Sequence, residues 1–211
     1  MVLSMTPMKR FELLLFLLPS LCLAQDTNFF KQCFARAQTR GLPRNGLLFV
    51  VTADDQTLTA VEASGIKKQF KVSTGKAGLG SEAGSEKTPL GWHIIEERIG
   101  GDQPPGRVFV KRKPTAMRLS YEEWRNPRSG DYVLTRILWL RGLDPGLNAG
   151  DPSIASHARG IYLHGTNQEQ LLGQPASHGC IRLSNRDILE LFDWTEKRRT
   201  YCLILKTSVL E

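Results

Sequence analysis

Four cysteines in 211 residues, none in a Cys-x-x-Cys arrangement, exclude a disulfide-dense scaffold and give no recognisable zinc-finger spacing. Aromatic residues are only 8% of the chain, and no nucleic-acid-binding motif accompanies the net charge of +7. The basic residues are dispersed rather than striped, so nucleic acid is not an expected partner; an anionic polymer or surface, or simply a solvated basic face, accounts for the excess. Internal repeats, heptads and low-complexity tracts are absent, which removes solenoids, coiled coils and long linkers from consideration. No apolar run is long enough to span a bilayer comfortably: Leu13–Leu18 and Leu21–Leu23 are broken by Pro19 and Ser20.

Lys9 and Arg10 before that apolar stretch, with Cys22-Leu23-Ala24 after it, read as an export signal over residues 1–24, with Gln25 as first mature residue. Met8 is the natural start in this reading, and a lipid anchor on Cys22 is the weaker alternative because Leu21 precedes it poorly. Residues 25–44 are expected to be a helical segment, with a helix over Asn28–Arg40 closed by Gly41 and Pro43. In an exported protein Cys33 and Cys202 can pair in a disulfide; two separate buried thiols is the other reading.

From Leu47 onward the pattern is of short strands between Gly- and Pro-containing turns: Leu47–Thr52, Thr57–Ala63, Phe70–Ser73, Trp92–Arg98, Arg107–Lys111, Tyr132–Leu140, Ile161–Leu163 and Tyr201–Lys206. This predicts a mainly β fold, a sandwich or mixed sheets with a few short helices, occupying residues 45–208 as one domain. Gly75–Gly91 is irregular, and the Pro-containing excursion over about 100–130 is expected to form a lid. The firmest helix follows Ser184-Asn185-Arg186-Asp187, where capping side chains precede Ile188, Leu189, Leu191 and Phe192 on one face.

What the chain does contain is a concentrated reactive segment, Ser177-His178-Gly179-Cys180-Ile181-Arg182-Leu183, with His164-Gly165-Thr166 upstream. A cysteine performs acyl chemistry as a thiolate, which needs a neighbouring base or cation. Either His164 or His178 can be that base, and spacing does not choose between them. Alternation places Ile181 and Leu183 toward a core, with Cys180 and Arg182 toward a cleft. The consecutive N–H groups of His178, Gly179 and Cys180 are candidates for an oxyanion site. Arg182 is a candidate to bind a substrate carboxylate or to lower the cysteine pKa, against the plainer reading of a surface ion pair. A zinc site from His164, His178, Cys180 and His157 is the rival use of the same atoms, although the spacing fits no common pattern.

These residues, with Asn185 and the upstream Val72-Ser73-Thr74-Gly75-Lys76 and Lys87-Thr88-Pro89-Leu90-Gly91, resemble the signature of the L,D-transpeptidase family, the YkuD-type catalytic domain. The likeness spans most of Gly46–Lys206, departing from the more frequent Thr-Pro-Thr-Gly where this chain has Val72-Ser73-Thr74-Gly75. The resemblance implies a YkuD-like β-sandwich and acyl transfer on peptidoglycan stem peptides without metal or organic cofactor. Cys180 would be the nucleophile and His164 the proton acceptor and donor, with the Gly165 carbonyl orienting the ring. His178 and Gly179 would serve oxyanion and substrate positioning, and Ser177 and Arg182 substrate binding. The implied product is a 3→3 cross-link or attachment to an amine acceptor such as an envelope lipoprotein. Hydrolysis of the same bond and a non-catalytic wall-binding module are the alternatives. Export to the periplasm or cell envelope is the expected location; oligomeric state is not legible.

Overall fold

A computed structural model of the chain describes residues 18–125 and 130–208. Most of the export-signal reading, residues 1–17, lies outside the described residues. Helix α1 runs Leu18–Thr39, further upstream than expected, and stops where Gly41 takes a left-handed φ of 94°. Of the described helices, none is long and apolar enough to cross a membrane.

Among the described residues ten strands follow, β1 Leu47–Thr52, β2 Thr57–Glu62, β3 Gly65–Lys71, β4 Gly91–Ile99, β5 Arg107–Val110, β6 Lys113–Arg118, β7 Val133–Gly142, β8 Tyr162–Thr166, β9 Ile181–Leu183 and β10 Thr200–Leu205. They form one branched sheet in the order β3-β2-β1-β10-β4-β7-β5-β6, with β8 joining β7 and β9 joining β8. Helices α2, Tyr121–Arg125, and α3, Asn185–Trp194, complete the domain. The mainly β expectation holds, and two halves of the sheet face each other as in a sandwich. Leu47, Phe49 and Leu58 from one half meet Leu138, Leu163 and Ile181 from the other, with Ile188 and Leu191 of α3 between them. The opposite side of β1, β2, β4 and β10 is covered by Phe30, Cys33, Phe34 and Ala37 of α1.

That two-faced arrangement disposes of the disulfide. Cys33, on α1, packs against one side of the sheet, whereas Cys202, by strand alternation, points into the core on the other side. Both are free buried thiols. In the excursion expected to form a lid, residues 107–118 make the β5–β6 hairpin, which adds to β7 as an edge of the sheet, and α2 packs Trp124 against Val108, Leu119 and Leu134. Residues 126–129 of that excursion lie outside the described residues.

Candidate active site

The site is built on β8 and β9, which pair in parallel with Leu163 opposite Ile181 and His164 opposite Arg182. Leu163, Ile181 and Leu183 are buried in the core, so alternation turns Tyr162, His164, Cys180 and Arg182 to the other face. His164 and Cys180 are therefore diagonal neighbours, about 4.8 Å apart across strands and about 6.6 Å along them at the backbone. Two side chains of their length can meet over that span.

His164 is locked. Its Nδ1 lies 2.8 Å from the Gly165 carbonyl oxygen, which can only accept, so the neutral ring carries its proton on Nδ1 and keeps a lone pair on Nε2. The step that bends this carbonyl toward the ring faces a bulge in β7, whose register shifts between Leu134 and Ile137, directly opposite Gly165 and His164. A side chain at residue 165 would put its Cβ 2.5 Å from Asn185 Oδ1 and 2.9 Å from the Leu134 carbonyl oxygen. Asn185 is itself fixed: its Nδ2 donates to the Thr166 carbonyl at 2.7 Å and its Oδ1 accepts from Thr135 at 2.5 Å. The Ser184 cap and the α3 start thus hold the histidine turn from beneath.

Cys180 sits on a tight turn clamped from two sides. Ser177 Oγ donates to the Cys180 carbonyl at 2.6 Å and accepts from the Gly179 N–H at 3.1 Å. Gly179 has a φ of 109°, and a Cβ there would stand 3.0 Å from the Lys87 carbonyl oxygen. Thr88 Oγ1 donates to the Gly179 carbonyl at 2.9 Å and accepts from the Gly75 N–H at 2.8 Å. The irregular Gly75–Gly91 segment, unread as strand or helix, is the backing plate of the cysteine turn.

The remaining expected site residues are placed as follows. Ser177 is buried and its hydroxyl is engaged within the turn. The Gly179 N–H is already bonded, which leaves the His178 and Cys180 N–H groups as the oxyanion candidates. Arg182 is only 1% exposed and does not face an open cleft. It donates to Gln168 Oε1 at 2.9 Å and to Asp131 Oδ2, and its charge acts to lower the Cys180 pKa. His178, with a side chain 65% exposed, places Nδ1 3.0 Å from the same Asp131 oxygen. Asp131 was missed by sequence reading; nothing in Gly130-Asp131-Tyr132 marks it, and only the fold brings it to the histidine and arginine.

Burial dominates the electrostatics of both groups. Burial pushes the Cys180 thiol up to about 11, outweighing a backbone hydrogen bond from Tyr162 and the Arg182 and Arg159 cations. Burial likewise depresses His164 to about 4, against the raising effect of its bond to Gly165. Both shifts favour the neutral thiol and the neutral imidazole. The thiol rests 3.4 Å from the Gly160 carbonyl, to which it donates. Beside it opens a cleft of about 210 Å³ lined by Glu86, Arg159, Gly160 and His178 among others.

The zinc reading finds no support in the geometry. His157 lies away from the other ligands, stacked on Trp139 at 3.8 Å, and among the described residues no three His, Cys, Asp or Glu side chains gather as a metal-binding group.

A mainly β catalytic domain with a clamped cysteine turn and a carbonyl-locked histidine on adjacent strands defines the class. Residues 46–207 match the YkuD family, the L,D-transpeptidase catalytic domain, and the chain belongs to that family. A Bacillus licheniformis protein named YkuD is 31% identical over 100 residues, covering 43% of this chain and 60% of that protein. An L,D-transpeptidase structure from Xylanimonas cellulosilytica covers 82% of this chain and 68% of its own, at 22% identity and a TM-score of 0.43. The helical cell shape determining protein Pgp2 from Campylobacter jejuni covers 79% of this chain and 49% of its own, at 18% identity and a TM-score of 0.44. The chain thus spans about 60% of the length of its curated relative.

Proposed function

We propose that this protein is a cysteine-dependent acyltransferase acting on peptidoglycan stem peptides in the cell envelope, to which the N-terminal export-signal pattern directs it. The observation that carries the reading is the shared face of β8 and β9, with Cys180 beside a histidine held in the Nδ1–H tautomer by the Gly165 carbonyl.

The sulfur turns from Gly160 toward Nε2, which takes the thiol proton as sulfur bonds to the donor carbonyl carbon. The oxyanion that forms is met by the His178 and Cys180 N–H groups. As the tetrahedral centre collapses, the imidazolium returns its proton to the leaving amine of the terminal D-alanine, leaving a thioester on Cys180. An acceptor amine then attacks that thioester, loses a proton to Nε2, and expels the sulfur, which is reprotonated. Because both partners start neutral, the histidine acts as a base in the attack itself. A 3→3 cross-link or an amine-linked envelope lipoprotein is the product. Asp131 holds His178 at the mouth of the cleft, where the imidazole serves to position substrate.

The test is incubation of the protein with tetrapeptide muropeptides, read by mass spectrometry. Cross-linked dimers with loss of one D-alanine are the expected product. Tripeptide monomers alone would replace transfer by hydrolysis, and unchanged tetrapeptide would refute both.

A further inference from the structure

The β5–β6 hairpin turns on Lys111-Arg112, with Val110 paired to Lys113. Both turn residues take positive φ, 49° and 69°. A two-residue turn of this hand is ordinarily filled by Asn-Gly, because residues with bulkier side chains are strained there. Arg112 compensates for that conformation with two contacts that both lie on the face of the cysteine. Its guanidinium carbon stands 4.2 Å from the Trp139 ring, and Nη1 donates to the Tyr162 hydroxyl at 3.0 Å. Tyr162 is the β8 residue level with Cys180, one step before the Leu163–Ile181 pair. Its hydroxyl lies over Gly160, where an added Cβ would be 2.8 Å from it, and the Gly160 carbonyl is the acceptor of the Cys180 thiol.

Three cations surround this face, and two are committed. Arg159 donates to the Gly80 and Lys87 carbonyls at 3.2 and 2.7 Å, and Arg182 to Asp131 and Gln168. Among the described residues Arg112 hydrogen-bonds a neutral hydroxyl and stacks over a ring, and no carboxylate forms an ion pair with it. The nearby carboxylate of Glu97 instead faces His157, 3.6 Å from Nε2. Lys111 and Lys113 flank Arg112 as exposed cations.

We infer that Arg112, presented by the strained β5–β6 turn against Trp139 and Tyr162, is the specificity residue that receives a carboxylate of the acyl-donor peptide beside Cys180. This deepens the function proposed above and rests on it for the identity of the donor. The carboxylate has two possible sources, the chain terminus of the leaving residue and the side-chain carboxylate of a diamino acid at the reacting position. A guanidinium held by one N–H keeps further N–H groups to grip either in a charge-assisted pair.

The first test does not depend on the natural reaction. Cys180 is alkylated with iodoacetate and, separately, iodoacetamide at the same pH, and the modified Cys180 peptide is quantified by mass spectrometry. The ratio of the two rates is expected to fall about fivefold in Arg112→Gln and to stay near the unsubstituted value in Arg112→Lys, since the effect is one of charge. An unchanged ratio in Arg112→Gln, or an equal fall in both variants, would overturn the inference. The second test compares tetrapeptide donors with each carboxylate amidated in turn. Arg112→Gln is expected to raise KM about tenfold or more on the free acid, and to have little effect on the donor whose recognised carboxylate is blocked. That pattern identifies the source; an equal loss on every donor, in kcat alone, would make Arg112 merely structural. If the unsubstituted protein turned over none of the donors, the proposed function would fall, while the alkylation ratio would still judge Arg112.

Discussion

Replacing Thr88 by valine removes one hydroxyl from a residue that is 0% exposed, without changing its shape. That hydroxyl satisfies two backbone groups at once, the Gly75 N–H at 2.8 Å and the Gly179 carbonyl at 2.9 Å. Valine leaves both without partners in a dry interior. Each orphaned group costs about 1–3 kcal/mol, so the variant should lose about 2–5 kcal/mol after some relaxation. With a urea dependence of about 2 kcal/mol per molar, the midpoint drops by about 1–2.5 M at unchanged slope. Thr88→Ser keeps the hydroxyl and forfeits one methyl, about 1 kcal/mol. Turnover should fall in the valine variant even where it is fully folded, because the turn carrying Cys180 loses its tie to the Gly75–Gly91 segment. A valine variant no less stable than the serine one, with full turnover, would refute the clamp.

Two further predictions concern protons. With the thiol pushed from 9.0 to about 11, the Cys180 thiolate is about a hundredfold scarcer at pH 7 than that of an unperturbed cysteine. Iodoacetamide labelling of Cys180 should therefore rise about tenfold per pH unit from pH 7 to 10; a plateau by pH 7 would mean a preformed thiolate–imidazolium pair. His164 and His93 are both depressed from 6.5 to about 4 by burial. The unfolded chain takes up these protons first, so their stability contribution, complete above pH 6.5, is lost as pH falls toward 4, at about 3 kcal/mol each. His93→Gln, at a site bonded to Gly91 and Ser156 away from the cysteine, should roughly halve the slope of stability against pH in that window; an unchanged slope would contradict the burial argument.

The strands that read clearly from sequence were those with a buried face. Leu47–Thr52 is recovered residue for residue because every side chain in it is buried and apolar or β-branched. The strand missed outright, Lys113–Arg118, is an exposed edge containing Pro114, with no apolar alternation to betray it. The start of β3 was lost likewise, since Lys67, Lys68 and Gln69 are exposed. In the site, alternation placed Cys180 and Arg182 on the face away from the core, but a face is not a cleft. Gly130-Asp131-Tyr132 and Gln168 pack against that face, Gly130 accepting from Asn167 and Gln168, and so bury Arg182. The same tertiary covering raised the sulfur's pKa where neighbouring cations alone argued for lowering it. Asp131 was illegible beside the histidine and arginine because a separate loop delivers it.

The most direct measurement is tryptic mapping of the protein quenched in acid during reaction with a tetrapeptide donor. The donor tripeptide should be found as a thioester on the Cys180 peptide, with D-alanine released in at least equal amount, and both signals should vanish in Cys180→Ala. D-Alanine release that survives in Cys180→Ala, or an acyl group attached at any other residue, would contradict the account.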